Sequence, residues 1–238
     1  MRSFNIRFSV GTVLSIIVFA FPIYGQNPQT LQDQLSPTTK PAAGATAEET
    51  ATGTETIVFL RHGEKPSHGL GQLTPQGFNR AIALSVLLPQ KFGKPDFLFA
   101  PNPGVKLSDG GKAFNYVRPL ATIEPTAIAL EMPVQTPFGF NQIDKLNAEL
   151  TDPKYAKTTI FVAWEHGYEA RAVSDLVKQF GGNSTEVPNW PGGDFDSLYV
   201  VKIIRTTGQP AKVTFTHDHE GLDHQSKNMP APASKPEN

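Results

Sequence analysis

The stretch TIVFLRHGEK, residues 56–65, joins an apolar run to a group of charged and imidazole side chains. Its β-branched and apolar part, residues 56–60, predicts a short strand that is buried on both faces. Similar runs at 96–100 and 158–164 predict two more buried strands. A strand buried on both faces requires cover on both sides, so helices are expected between these runs.

Helical spacing follows the strands. Thr74 and Pro75 open the first helix, with a capping hydroxyl followed by a proline at the first helical position. Further helices are predicted at 124–132, 141–150 and 169–180, and residues 197–204 and 211–215 predict a closing hairpin. Strands that alternate with helices indicate an α/β fold, a three-layer sandwich whose mostly parallel sheet carries helices on both faces.

The first 25 residues have the layout of a secretory signal peptide. Arg2 and Arg7 precede a mostly apolar run at 8–24, and Gly25 supplies a small residue at a cleavage point. The sequence therefore predicts an exported protein, periplasmic or secreted. An uncleaved membrane anchor is the alternative, and it would be the protein's only contact with a membrane.

Three further segments complete the predicted organisation. Residues 26–54 are rich in Gln, Pro, Thr and Ala, which is typical of a disordered linker. Residues 55–218 have the size of one folded domain. Residues 219–238 are again polar and are predicted to form a disordered tail.

Composition excludes several classes of function. The chain of 238 residues has no cysteine, which excludes disulfides, thiolate metal sites and cysteine nucleophiles. Its formal net charge is −1, so composition does not favour nucleic acid as a partner.

Two of the predicted buried strands end close to a His-Gly pair. His62 and Gly63 follow the first strand, and His166 and Gly167 follow the strand at 158–164. Ligands of such sheets bind beyond the carboxyl ends of the strands. Both imidazoles are therefore expected in one site, where the glycines let the backbone approach a ligand.

The residue types at these positions suit phosphoryl transfer. A neutral imidazole is nucleophilic near neutral pH, which makes His62 the candidate nucleophile. Arg61 can offer a planar fork to phosphate oxygens, and Arg118 can supply a second fork. With His166 nearby as well, the predicted site requires neither a metal nor a cofactor.

These residues resemble the histidine phosphatase superfamily, the group that includes phosphoglycerate mutases and acid phosphatases. VFLRHGE at 58–64 is similar to the opening motif of that family, and LTPQGFNRA at 73–81 is similar to the segment that follows it. Arg118 resembles the second arginine of the family, and His166 resembles its second histidine. The resemblance implies a covalent phosphohistidine on His62, with Arg61, Arg118 and His166 holding the phosphate.

The sequence departs from the family pattern in three respects. Phe114 stands where many members have a serine, and a long loop at 102–116 precedes the second arginine. The position of the acidic proton donor varies in the family. Glu165 is the favoured candidate because it adjoins His166, and Asp144 and Glu131 remain alternatives.

The predicted function is hydrolysis of small phosphate esters outside the cytoplasm by a phosphomonoesterase. A non-catalytic phosphate-binding module on the same fold is the alternative. Specificity is expected from the loops at 102–116 and 182–196.

Two smaller predictions concern charged side chains. Arg80 and Arg171 lie on predicted helices and are expected to face water. The imidazoles and carboxylates at 216–224 are expected to be solvated, although their density also allows a metal site.

Overall fold

The computed structural model describes residues 52–231. The strands are β1 (Gly53–Arg61), β2 (Phe97–Phe99), β3 (Lys106–Asp109), β4 (Lys112–Asn115), β5 (Val134–Gln135), β6 (Thr159–Trp164), β7 (Ser197–Arg205) and β8 (Lys212–His219). The helices are α1 (Pro75–Phe92), α2 (Arg118–Leu130), α3 (Ile143–Leu150) and α4 (His166–Gln179).

Six strands form the main sheet in the order β5-β2-β6-β1-β7-β8. The pairs from β5 to β1 are parallel, and the two pairs that involve β7 are antiparallel. Alternate residues of β1 enter separate cores: Ile57 and Phe59 pack with α3 and α4, whereas Val58 and Leu60 pack with α1 and α2. The predicted α/β sandwich is therefore confirmed.

The start of α1 is set by local chemistry. The Thr74 hydroxyl accepts a hydrogen bond from the N–H of Gly77 at 3.1 Å, and Pro75 occupies the first helical turn. Gly93 ends the helix with φ at +81°, in the region that favours glycine. This helix begins where the sequence predicts.

Helix α2 begins six residues before the predicted start at 124. Two prolines fall in this region, and it is Pro119 that occupies the first turn. Pro125 lies inside the helix, where its missing N–H removes one hydrogen bond. Burial of Ile123 and Ala127 against the sheet offsets that loss. Arg118 consequently lies at the first position of a helix and not in a loop.

The predicted long loop at 102–116 contains a two-stranded hairpin. Strands β3 and β4 pair antiparallel and form a small sheet of their own. Short strands of mixed polarity give little periodic signal, which explains why the sequence did not predict them.

The folded part extends beyond both boundaries expected from the sequence. Strand β1 begins at Gly53, two residues before the expected start at 55. Strand β8 continues to His219, and the side chain of Glu220 is buried against Arg80. The domain therefore continues past the expected end at 218. Glu220 is polar, but it is buried in the folded domain because it pairs with the buried cation of Arg80.

The predictions for residues 1–25, for nearly all of 26–54 and for 232–238 lie outside the described residues. Within 52–231, no helix is both long enough and apolar enough to cross a membrane.

Candidate active site

Adjacent parallel strands bring the two His-Gly pairs to one edge of the sheet. Arg61 ends β1 and pairs in register with Trp164, the last residue of β6. His62 follows β1 directly, and His166 is the first residue of α4. The side chains of Arg61, His62 and Arg118 are almost completely buried, at 1%, 1% and 2% exposure.

His62 is held with one ring nitrogen unused. Its Nδ1 lies 2.7 Å from the carbonyl oxygen of Gly63. Because a carbonyl only accepts, Nδ1 carries the hydrogen and Nε2 keeps its lone pair. Burial lowers the pKa of His62 well below its ordinary value, and the charges of Arg118, Arg61 and His166 lower it further. The imidazole is therefore neutral at neutral pH.

Gly63 fixes the backbone beside His62. A Cβ on Gly63 would lie 2.8 Å from the carbonyl oxygen of Gly77 in α1, closer than packed atoms allow. The N–H of Gly63 donates to the Thr122 hydroxyl of α2 at 3.0 Å. Glycine is thus required here for the close approach to α1, whereas the sequence suggested a close approach to a ligand.

Arg61 is anchored through a single nitrogen. Its Nη1 donates to the carbonyl oxygens of Gly192 and Asp194 at 2.9 and 2.7 Å. The guanidinium lies over the ring of Phe195, 3.9 Å from its centroid. In the described part of the chain, its buried Nε has no hydrogen-bond partner.

Arg118 repeats this arrangement. Its Nη1 donates to Oδ2 of Asp109 at 2.6 Å, and its guanidinium lies 4.9 Å from the ring centroid of Tyr116. Its Nε is also buried, without a partner among residues 52–231. Tyr116 and Phe195 each also contact the His62 ring, with centroids 6.0 and 6.1 Å away, so they connect both arginines to His62.

The side chains of Glu165 and His166 are in close contact at the start of α4. Nδ1 of His166 contacts Oε1 of Glu165, while Oε2 accepts from the N–H groups of Gly167 and Tyr168 at 2.9 and 3.1 Å. Burial opposes ionisation of Glu165, but His166 and the two N–H groups outweigh it and lower the carboxyl pKa. Glu165 therefore caps the helix as an ionised group.

The two alternative proton donors lie elsewhere. The Asp144 side chain is 85% exposed and pairs with Arg171 on the surface. Glu131 ends α2, at the opposite end of the helix from Arg118. Of the three predicted candidates, only Glu165 adjoins the site.

Sequence reasoning missed four residues near the cluster. Asp109, Tyr116 and Phe195 belong to the two loops from which specificity was expected, and loop length was their only signal. Glu169 in α4 is completely buried, and burial raises its carboxyl pKa well above the ordinary value. The sequence gives no sign that Glu169 differs from an ordinary helix residue, because its proximity to Arg61 arises only in the folded structure.

A cavity of about 390 Å³ adjoins the cluster. Phe195 forms a wall of both, and Lys65 and Lys227 also line the cavity.

No group of three or more His, Asp or Glu side chains within 52–231 is arranged to hold a metal ion. In the segment considered for metal binding, Nε2 of His217 lies 2.7 Å from the Ser197 hydroxyl.

The sequence matches no protein-family model and no curated protein sequence. Solved structures similar to the chain include phosphatases and phosphoglycerate mutases. One is a protein assigned as the phosphohistidine phosphatase SixA of Nakamurella multipartitia, with 17% identity and a TM-score of 0.48, covering 70% of this chain and 96% of that one.

Two others are a mycobacterial glucosyl-3-phosphoglycerate phosphatase in complex with inorganic phosphate and a phosphoglycerate mutase of Plasmodium falciparum. The first has 13% identity and a TM-score of 0.44, covering 68% of this chain and 95% of that one. The second has 10% identity and a TM-score of 0.43, covering 78% and 99%. Because none of these TM-scores reaches 0.5, the function proposed next rests on the residues of this chain.

Proposed function

We propose that the protein is an exported phosphomonoesterase that hydrolyses phosphate esters through a phosphohistidine on His62. The observation that carries the proposal is a set of polar atoms without partners on His62 and on two arginines near enough to affect its pKa. Nε2 of His62 has a free lone pair, and the buried Nε atoms of Arg61 and Arg118 have no partner among the described residues. Leaving a buried donor unsatisfied costs about 1–3 kcal/mol, so a bound phosphate would recover that cost.

The proposed reaction has two steps. In the first, Nε2 of His62 attacks phosphorus, an N–P bond forms, the ester P–O bond breaks, and the leaving oxygen takes a proton. In the second, water attacks the phosphohistidine, the N–P bond breaks, and inorganic phosphate leaves. Arg61, Arg118 and His166 would bind the nonbridging oxygens and stabilise the charge that develops in each transition state.

Glu165 is the proposed proton donor in the first step and the base in the second. It lies next to His166 and is the only predicted candidate beside the site. Its lowered pKa keeps it ionised at neutral pH, so donation requires acid pH or the field of a bound phosphate dianion.

The test is phosphate release from a panel of phosphomonoesters, with and without a chelator. We expect chelator-insensitive release by the wild-type protein and none by His62→Ala. His224→Ala, a change at an exposed histidine, is the matched control and should keep full activity. A labelled phosphoenzyme trapped in alkali should be present in the control and missing from His62→Ala; full turnover by His62→Ala would refute the proposal.

A phosphate-binding module without turnover is the second candidate. The capping role and low pKa of Glu165 favour it, because they leave this candidate donor unprotonated at neutral pH. Binding of inorganic phosphate without hydrolysis of any ester, at acid as well as neutral pH, would support this alternative.

Export is a separate part of the proposal and rests on the signal-like layout of residues 1–25. The mass of the protein recovered from an expressing cell is the test. Loss of about the first 25 residues is the expected result, and a full-length chain in the cytoplasmic fraction would contradict it.

A further inference from the structure

The tip of the β3–β4 hairpin reaches the site through one side chain. Oδ2 of Asp109 accepts from Nη1 of Arg118 at 2.6 Å, and Oδ1 accepts from Nζ of Lys65 at 3.1 Å. The Asp109 side chain is only 11% exposed, although Ser108 and Gly110 on either side of it are exposed. Strand alternation turns Asp109 inward.

These two ion pairs keep Asp109 ionised. Burial favours its neutral form, but the hydrogen bonds from Arg118 and Lys65 outweigh this and lower the carboxyl pKa. Arg118 is a buried cation, and no other carboxylate among the described residues pairs with it. Asp109 therefore compensates the charge that the proposed phosphate site requires.

The contact with Asp109 also determines which edge of the Arg118 guanidinium is free to donate hydrogen bonds. In the described part of the chain, Arg118 donates hydrogen bonds only through Nη1, which leaves Nε and Nη2 for a second, side-on partner. Arg61 is anchored through the same nitrogen by two backbone carbonyls. Asp109 anchors Nη1 of Arg118, as backbone carbonyls anchor Nη1 of Arg61. Asp109 belongs to a hairpin outside the main sheet.

Backbone packing holds Asp109 in this position. Gly69 has φ at +85°, and a Cβ there would lie 2.6 Å from Cγ of Asp109. The hairpin turn packs in the same way, since a Cβ on Gly110 would lie 3.0 Å from the carbonyl oxygen of His68. The loop before α1 and the hairpin therefore dock closely, with Asp109 at the contact.

We propose that Asp109 is a positioning residue, which holds Nη1 of Arg118 so that Nε and Nη2 face the phosphate. This inference rests on the proposed function, because it concerns the same phosphate site. It assigns the hairpin a role in assembling the site, since Arg118 loses its anchor whenever the hairpin moves away.

The first experiment compares Asp109→Asn with the wild-type protein. Calorimetric titration with inorganic phosphate should show weaker binding, and kcat/KM should fall about 10²-fold, the size of effect that a small misplacement of a catalytic group produces. Asp109→Glu should restore part of both, because it keeps the charge. Lys112→Gln, on the exposed side of the same hairpin, is the control and should change neither.

The second experiment separates positioning from a general structural effect. In an Arg118→Gln background, Asp109→Asn should cause little further loss, because the group that it positions has gone. An equal loss in both backgrounds would overturn the inference. Tighter phosphate binding by Asp109→Asn would also overturn it, since the carboxylate would then be a competitor for Arg118.

Two more outcomes count against the inference. Loss of activity confined to esters with poor leaving groups would identify Asp109 as a proton donor, and unchanged binding and turnover would leave it without a role. If the wild-type protein binds phosphate and hydrolyses nothing, the proposed function fails, yet the phosphate titrations still test Asp109.

Discussion

Arg80 and the pair formed by Arg61 and Arg118 are all buried, but they differ in how their hydrogen-bond donors are used. Arg80, in α1, donates through Nε, Nη1 and Nη2. Arg61 and Arg118 each donate through Nη1 alone among the described residues and keep a buried, unpaired Nε. The partners of Arg80 are the carboxylates of Glu64, Asp196, Glu220 and Asp223.

The difference separates a cation that holds the fold together from cations available to a ligand. Arg80 joins α1 to the loop after β1, to the start of β7 and to the segment after β8. Since every nitrogen of its guanidinium is engaged, it has nothing left to offer a substrate. Glu64 connects the two groups, because it binds Arg80 and is separated from His62 only by Gly63. The bond between Glu64 and Arg80 therefore helps fix the position of the loop that contains His62.

The largest expected effect on stability comes from Arg80→Met. Glu64 and Glu220 would remain without their cation, and breaking such buried pairs costs about 3–5 kcal/mol. Urea denaturation above the Glu220 pKa of about 8 should show this loss. Arg171→Met removes an exposed arginine with surface partners and should cost less than about 1 kcal/mol. Equal stabilities of the two variants would show that the Arg80 cluster is not structural.

Arg118→Met should lower activity more than stability, the opposite of what we expect for Arg80→Met. Loss of one preorganised donor lowers kcat about 10²–10³-fold in comparable sites. The loss of stability should be smaller than for Arg80→Met, because Asp109 keeps its bond to Lys65. Steady-state kinetics and denaturation of the same preparation give both numbers, and a variant that unfolds readily while keeping its kcat would reverse our distinction.

The pH dependence of turnover sharpens the description of the site. Donation requires protonated Glu165, which is lost as pH rises through a pKa below the ordinary 4.5. Attack requires neutral His62, which is lost only as pH falls through a pKa well below 6.5. Both limits lie on the acid side, so kcat/KM for alkyl phosphates should be highest at acid pH.

Glu165→Gln tests that assignment. The rate with alkyl phosphates should fall about 10²-fold, at the lower end of the range for general acid catalysis. The rate with aryl phosphates should fall much less, because their leaving groups need no proton. Glu186→Gln, at an exposed position, is the control. Equal rates of wild type and Glu165→Gln on alkyl phosphates would leave Glu165 with its capping role alone.

The pH dependence of stability tests the burial of Glu220. Burial raises its pKa from the ordinary 4.5 to about 8, and Arg80 only partly offsets this. Because the folded state then binds the proton more tightly than the unfolded state, stability should decline as pH rises from about 4.5 to about 8. Glu220→Gln should flatten that decline in a series of denaturation curves, and an unchanged slope would contradict the burial argument.

Short-range signals account for what could be predicted. Thr74 and Pro75 located the start of α1 because a helix cap is made by neighbours in sequence. The apolar runs located β1 and β6 because burial on both faces shows directly in composition. Their adjacency in a parallel sheet then placed His62 and His166 at one edge, as expected.

Long-range pairings account for what was missed. Arg80 was expected to face water, yet it is fully buried, with a partner 140 positions away in the chain. The helix predicted at 124–132 has Pro125 in its first turn, whereas Pro119, six residues earlier, lies in the first turn of α2. A pattern of nearest neighbours does not identify a distant carboxylate or decide between two prolines.

The sequence by itself determined five of the six strands of the main sheet, most of the helices and the side chains that follow the buried strands, because these depend on periodicity and on contacts between near neighbours. Only the tertiary structure decided which buried arginines are saturated. Arg61 and Arg80 are both buried, and nothing in the order of residues shows which of them has all its donors engaged. What distinguishes them is the supply of acceptors from distant segments: carboxylates surround Arg80, whereas two carbonyls and one aspartate leave Arg61 and Arg118 each with a free, buried Nε.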